Sequence, residues 1–127
     1  MGYLLDTNIV TAFLKNHPLV RRKLSILQIE QAEVFISCIT YFEVKRGLLA
    51  VNATRQLSDF NLFCTRVRFL LLDDIEIIDR ASEIHANLKS RGTPIQDADI
   101  LIAATAMTRG LILVSNDSDL LRVQGIN

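Results

Sequence analysis

Short apolar runs alternate with stretches of helical periodicity from Tyr3 to Ile126. Four runs bounded by polar residues, Tyr3 to Leu5, Val34 to Ser37, Ile75 to Ile78 and Leu111 to Ser115, read as buried strands of a mainly parallel sheet. Between them the spacing is helical. Leu57, Phe60, Phe63, Val67 and Leu70/Leu71 share one helix face. Ile84 and Leu88 form the stripe of a helix opened by Asp79 and closed by Gly92, and Ala98 to Arg109 reads as a nearly all-apolar buried helix ended by Gly110. Strands alternating with helices predict an α/β fold, a mainly parallel central sheet flanked by crossover helices. No repeat, low-complexity tract or Gly/Ser/Pro-rich linker interrupts the pattern, so residues 1–127 read as one domain.

Composition narrows the class. A chain of 127 residues, half of them apolar, buries roughly two-thirds of its unfolded surface, enough for a core without disulfides or structural metal. Cys38 and Cys64 lack CxxC spacing and read as reduced thiols inside a cytoplasmic protein. The N-terminus, MGYLLDTNIV, has no basic stretch followed by an apolar region and cleavage site, which disfavours export. The longest charge-free runs, Val34 to Phe42 and Ile100 to Thr108, fall short of the ~18 residues that a membrane-spanning helix needs.

Fourteen basic and fourteen acidic residues cancel, so bulk charge alone makes no case for nucleic acid. Distribution changes that. With four acids gathered in one metal-neutralised site, fourteen cations face ten remaining acids, a background of four positive charges that permits an RNA partner.

Ligands in open α/β sheets collect beyond the carboxyl ends of the strands, and there the chain is rich in carboxylates. Asp6 ends the first run, Glu43 lies about one helical turn past the second, and Asp117 follows the last in Val114-Ser115-Asn116-Asp117. Asp99 sits in the first turn of the buried helix. If that turn points to the same edge, four carboxylates converge, and their mutual repulsion calls for a cation. Oxygen ligands without nearby cysteine or histidine suit Mg²⁺ or Mn²⁺ rather than zinc. Two such ions about 4 Å apart can activate water and stabilise both oxygens of a phosphodiester displacement. Each acid also has a plain structural use. Asp6 is placed to cap the helix of Ile9, Val10 and Phe13, Thr40 with Glu43 fits a capping box, Asp97 or Asp99 suits a first helical turn, and Asp117 suits a turn.

These residues resemble the PIN-domain ribonucleases, in particular the VapC toxins of toxin–antitoxin pairs. The resemblance rests on Leu4-Leu5-Asp6-Thr7-Asn8, on Ser37/Thr40/Glu43 followed by Gly47, on Gly92-Thr93-Pro94-Ile95 leading to Asp99-Ile100-Leu101-Ile102-Ala103-Ala104, and on Val114-Ser115-Asn116-Asp117 before Arg122-Val123. It implies metal-dependent RNA cleavage, a small antitoxin that blocks the site, and a homodimer. Carried over by position, Asp6, Glu43 and Asp99 match the core acids and Asp117 the last, more variable one. Thr7 and Asn8 orient Asp6 or a water, and Ser115 stands where the family often has threonine. Asp97 and Asp119 lie close to the matched acids and could share their work, although capping or solvated roles are favoured for both. Many relatives continue into a final short strand, whereas this chain stops at Asn127.

Other polar groups carry less. His17 precedes Pro18 in a loop and His85 lies mid-helix, so both read as structural or surface residues despite titrating near neutrality. Lys45 and Arg46 follow Glu43 and suit either a phosphate or a solvated helix face. Lys15, Arg21, Arg22 and Lys23 form the densest basic cluster, while Phe60, Phe63 and Phe69 read as core or protein interface. Two competing functions stay open. An aspartate after the first strand suits a haloacid-dehalogenase-type phosphatase, although Asn8 stands where that chemistry wants a second acid. A non-catalytic binding module would use the fold without metal.

Overall fold

A computed structural model describes residues 2–123. Four strands, β1 (Gly2–Leu5), β2 (Glu33–Ser37), β3 (Arg68–Leu70) and β4 (Ile112–Val114), form one sheet in the order β3-β2-β1-β4 with every pairing parallel. Helices α1 (Thr7–Leu14), α2 (Pro18–Ile29), α3 (Cys38–Ala50), α4 (Thr54–Cys64), α5 (Ile75–Ser90) and α6 (Asp97–Arg109) fill the connections, and a 3₁₀ turn covers Ser118–Arg122. The α/β architecture with a parallel sheet is as the pattern predicts.

Alternation along the strands sends side chains to two separate cores. Leu5 and Ile36 meet Ile9, Val10 and Leu14 of α1, Val44 of α3 and Phe60 and Phe63 of α4 on one face. Leu4 meets Ile102 and Ala106 of α6 on the other. The small residues Ala103, Ala104 and Ala106 are fully buried and let α6 lie close between sheet and α5, whose Ile77, Ala81, Ile84 and Leu88 recur at helical spacing. Gly110 closes α6 in the left-handed conformation, φ 65°, where a side chain would be strained.

Four local expectations are corrected. Ile75 to Ile78 is the first turn of α5 rather than a strand: Asp74 caps it by accepting from Glu76 N at 2.9 Å, and only Ile77 of that run is fully buried. Asp79 therefore lies inside the helix it was expected to open. The helix expected through Leu71 stops at Cys64, and Arg68–Leu70 leaves it to pair with Phe35, Ile36 and Ser37 as the sheet's edge. Ser37, not Thr40, caps α3, accepting from Ile39 N at 3.1 Å, and this frees Thr40 and Glu43 for contacts across the fold. His17 stands at the N-cap position of α2 without a side-chain capping bond.

Ile102 of α6 is fully buried in one cluster with Leu4, Ala106 and Leu111. Ile102→Ala is expected to cost about 2–5 kcal/mol, read as a lower urea midpoint with an unchanged slope.

Candidate active site

Strand order reverses at β1, whose neighbours β2 and β4 are reached by connections running in opposite directions, and a crevice opens there beyond the strand ends. A cleft of about 180 Å³ is lined at this point by Asp6, Thr7, Asn8, Glu43, Gln96, Asp99, Asp117 and Asp119. Thus Asp6, Glu43, Asp99 and Asp117 are brought together from β1, α3, α6 and the segment after β4. Thr7 and Asn8 join them, and Ser115 supports from behind.

Asp6 is buried at 2% exposure and held at both oxygens. Its Oδ1 accepts from Ile9 N at 3.0 Å, capping α1, and its Oδ2 accepts from the Ser115 hydroxyl. Capping and site-building therefore coincide in one residue, because a carboxylate with two such bonds keeps further lone pairs for a ligand. The Ser115 oxygen also accepts from Asp117 N at 2.9 Å, and Asp117 Oδ1 accepts from Asp119 N at 2.9 Å. One chain of bonds runs from the end of β1 into the turn after β4. Across the cleft, the Thr7 hydroxyl donates to Glu43 Oε1 at 2.7 Å and lies 3.2 Å from the Thr40 hydroxyl.

Oxygens of Asp99, Asp117 and Asp119 lie within 4.8 Å of one another. Asp119, for which a capping or solvated role is favoured over sharing the work of the matched acids, joins them in the cleft because the 3₁₀ turn begins at once after Asp117. Gln96, at the N-cap position of α6, is a lining residue that sequence reasoning missed. Asp97 is exposed in the first turn of α6 and does not line the cleft. The histidines are exposed on α2's approach and on α5, away from the lining.

Among the described residues the cleft lining holds no basic side chain, and most of the basic residues singled out in the sequence are engaged elsewhere or exposed. Lys45 donates to the Tyr41 hydroxyl at 2.9 Å, and Arg21 lies 4.2 Å over the Phe13 ring. Arg46 differs, since its guanidinium reaches within 3.8 Å of Glu43 Oε2. Arg22, Lys23 and Lys15 are exposed.

Crowding leaves its mark on proton affinity. Burial, then the charges of Asp117, Glu43, Asp6 and Asp119, push Asp99 up to about 6. Burial likewise raises Asp6, opposed by the Ser115 and Ile9 hydrogen bonds. The donor set suits a hard divalent cation: every lining group is an oxygen or amide, no cysteine or histidine contributes, and the like charges are too close to remain ionised cheaply. Aspartates raised above their unfolded value favour the fold fully below the unfolded value near 3.8, and that contribution is lost as pH rises through the folded one. Without divalent ions, the wild type should therefore lose stability between about pH 4 and pH 7. Asp99→Asn should flatten that loss and be more stable by about 1–2 kcal/mol near neutrality, less than the full shift implies because the cleft is open to water. Thermal melts across pH in a chelating buffer check this; unchanged pH dependence in the variant would refute it.

A family model described as the PIN domain matches residues 3–126. The chain is 32% identical over 120 residues to the tRNA(fMet)-specific endonuclease VapC of Shigella flexneri, covering 93% of this chain and 88% of the relative. Among solved structures, the DNA-bound VapBC of Salmonella typhimurium superposes with a TM-score of 0.88 at 29% identity, covering 100% of this chain and 96% of the other. VapBC2 from Rickettsia felis, bound to a promoter DNA fragment, matches in fold with a TM-score of 0.89 at 24% identity, covering 99% and 96%. Parallel sheet, acid-lined switch point and full-length similarity place the chain in the PIN-domain family.

Proposed function

We propose that the chain is a metal-dependent endoribonuclease toxin, acting in the cytoplasm and held inactive by a cognate antitoxin. The observation that carries this reading is the cleft itself, in which Asp6, Glu43, Asp99, Asp117 and Asp119 meet at the sheet's switch point. Residues 1–127 act as one nuclease domain. Asp6, Glu43, Asp99 and Asp117 hold Mg²⁺ or Mn²⁺, with Thr7, Asn8 and Ser115 supporting them. When bound, the cation supplies charge neutralisation and water activation for phosphodiester displacement.

The chain's own residues prepare the site. Ile9 N and Ser115 fix the Asp6 carboxylate in one rotamer, so little ordering is left for ligand binding. Thr7 does the same for Glu43 from the opposite wall. Asp99, with its raised proton affinity, is the group that gives up a proton as positive charge enters. Support for the substrate and partner comes from relatives: the Shigella protein is a tRNA-specific endonuclease, and the Salmonella neighbour is a VapB–VapC complex. The toxin resemblance implies a homodimer, and we carry that over as part of the proposal. No helix of the described residues is long and apolar enough to cross a membrane. A phosphatase of the haloacid-dehalogenase type lacks its second acid, since position 8 is an exposed asparagine. A non-catalytic module leaves the cost of assembling five acids unexplained.

Incubation of purified protein with total RNA, with and without Mg²⁺ or Mn²⁺, is expected to give discrete fragments only with the ion. Asp6→Asn should reduce cleavage by at least about 100-fold, more than the 10–100-fold typical for an outer-shell partner. Ser115→Ala falls in that outer-shell range, and Ser115→Thr keeps most activity because the hydroxyl is retained. Equal cleavage by Asp6→Asn and wild type would dismiss the assigned mechanism.

A further inference from the structure

α3 carries more than Glu43 toward the cleft. Phe42 precedes Glu43 and is 59% exposed, an unusual cost for an aromatic ring on a helix whose neighbour Tyr41 packs among Phe60 and Phe69. Arg46 follows one turn later, its Cζ 5.0 Å from the Phe42 ring centroid and its Nη2 3.8 Å from Glu43 Oε2. Spacings of three and four residues put ring, guanidinium and carboxylate on one rim. The guanidinium thus bridges an exposed aromatic face and a wall of the acid cleft, and the two distances bound the ring to about 10 Å from the Glu43 carboxylate. That separation reaches the nucleotides flanking a phosphodiester seated in the cleft.

Taking the RNA-cleaving reading above as premise, we infer that Phe42 and Arg46 form a strand-gripping pair: Phe42 stacks an unpaired base beside the scissile bond, and Arg46 contacts a flanking phosphate. The substrate is then single-stranded or looped RNA, because a base within an A-form helix is not free to stack on a side chain. Arg46 serves both partners, since its planar group stacks on a ring while keeping N–H donors for a phosphate. Charge favours this occupant. A cation at the lip of an anionic cleft that takes divalent metal is placed to catch a polyanion rather than an apolar helix. Phe42 and Arg46 position substrate and take no part in bond making.

Because the chain contains no tryptophan, Phe42→Trp creates a single fluorophore at the rim. In an Asp6→Asn background, which prevents turnover, single-stranded oligouridylate and oligoadenylate are expected to quench it saturably, and a duplex of equal length much less. Phe42→Ala should raise KM for a single-stranded substrate at least about five-fold with little change in kcat. Arg46→Ala should weaken binding and lower the salt slope by about one phosphate contact. Both positions are exposed, and circular dichroism checks that the variants stay folded. Absence of quenching, or an unchanged KM in Phe42→Ala with active wild type, overturns the inference. So does a Phe42→Ala variant whose sedimentation changes while RNA binding does not, which would give the ring to a protein interface. Quenching needs no cleavage, so saturable quenching with no wild-type cleavage would reject the nuclease reading while upholding the RNA-binding rim.

Discussion

Repulsion among carboxylates governs this structure. Five acids line one small cleft, three of them with oxygens within 4.8 Å of one another, and Asp6 is almost wholly removed from water. Such a cluster opposes folding as long as it is fully ionised. The fold tolerates it through two devices. Hydrogen bonds from Ile9 N and Ser115 favour the charged form of Asp6, while Asp99 relieves the remainder by holding its proton to about pH 6. Stability and chemistry are therefore coupled through the same atoms.

The parallel sheet makes the cluster possible at modest conformational cost. β1 and β4 end side by side, so Asp6 and Ser115 follow paired strand termini and need no long loop to meet. α6 brings Asp99 from the adjoining layer, and its buried alanines set how closely that helix can approach. Helix capping adds a further economy: Asp6 and Ser37 cap helices at the junction with the preceding strand, and Asp117 caps the 3₁₀ turn after β4. Polar groups that had to be placed there for local reasons become the scaffold of the site.

Much of this was legible in the sequence, for reasons that also explain what was not. β1, β2 and α6 carry fully buried residues, and β4, although a partly buried edge strand, is wholly aliphatic, so each leaves a continuous apolar run. β3 escaped because, unlike the equally short edge strand β4, it exposes Arg68 and Phe69 and its periodicity merges with that of α4. Ile75 to Ile78 misled because an unbroken apolar run hides its period; the usable signal was Asp74 as a cap with Glu76 in the first turn. Asp119 reached the cleft through a 3₁₀ turn that no apolar pattern announces. The pairing of Phe42 with Arg46 was equally hidden, because a four-residue spacing acquires meaning only once Glu43 is known to face the cleft.

Net neutrality of the chain conceals a local field that changes sign of effect with metal occupancy. Without a cation, five carboxylates repel any polyanion from the cleft, and Arg46, drawn to Glu43, offers only a partial counterweight. On the proposed function, a bound divalent cation would offset the repulsion and compete with Arg46 for Glu43, leaving the guanidinium free for a phosphate. Metal and RNA should then bind with positive coupling, and linkage makes the effect reciprocal: RNA raises affinity for metal by the same factor that metal raises affinity for RNA. A chain with a strongly basic surface would bind RNA whether or not its cleft was loaded. On the proposed function, balanced charge would instead favour binding to the metal-loaded state, so cofactor occupancy and substrate capture would reinforce each other.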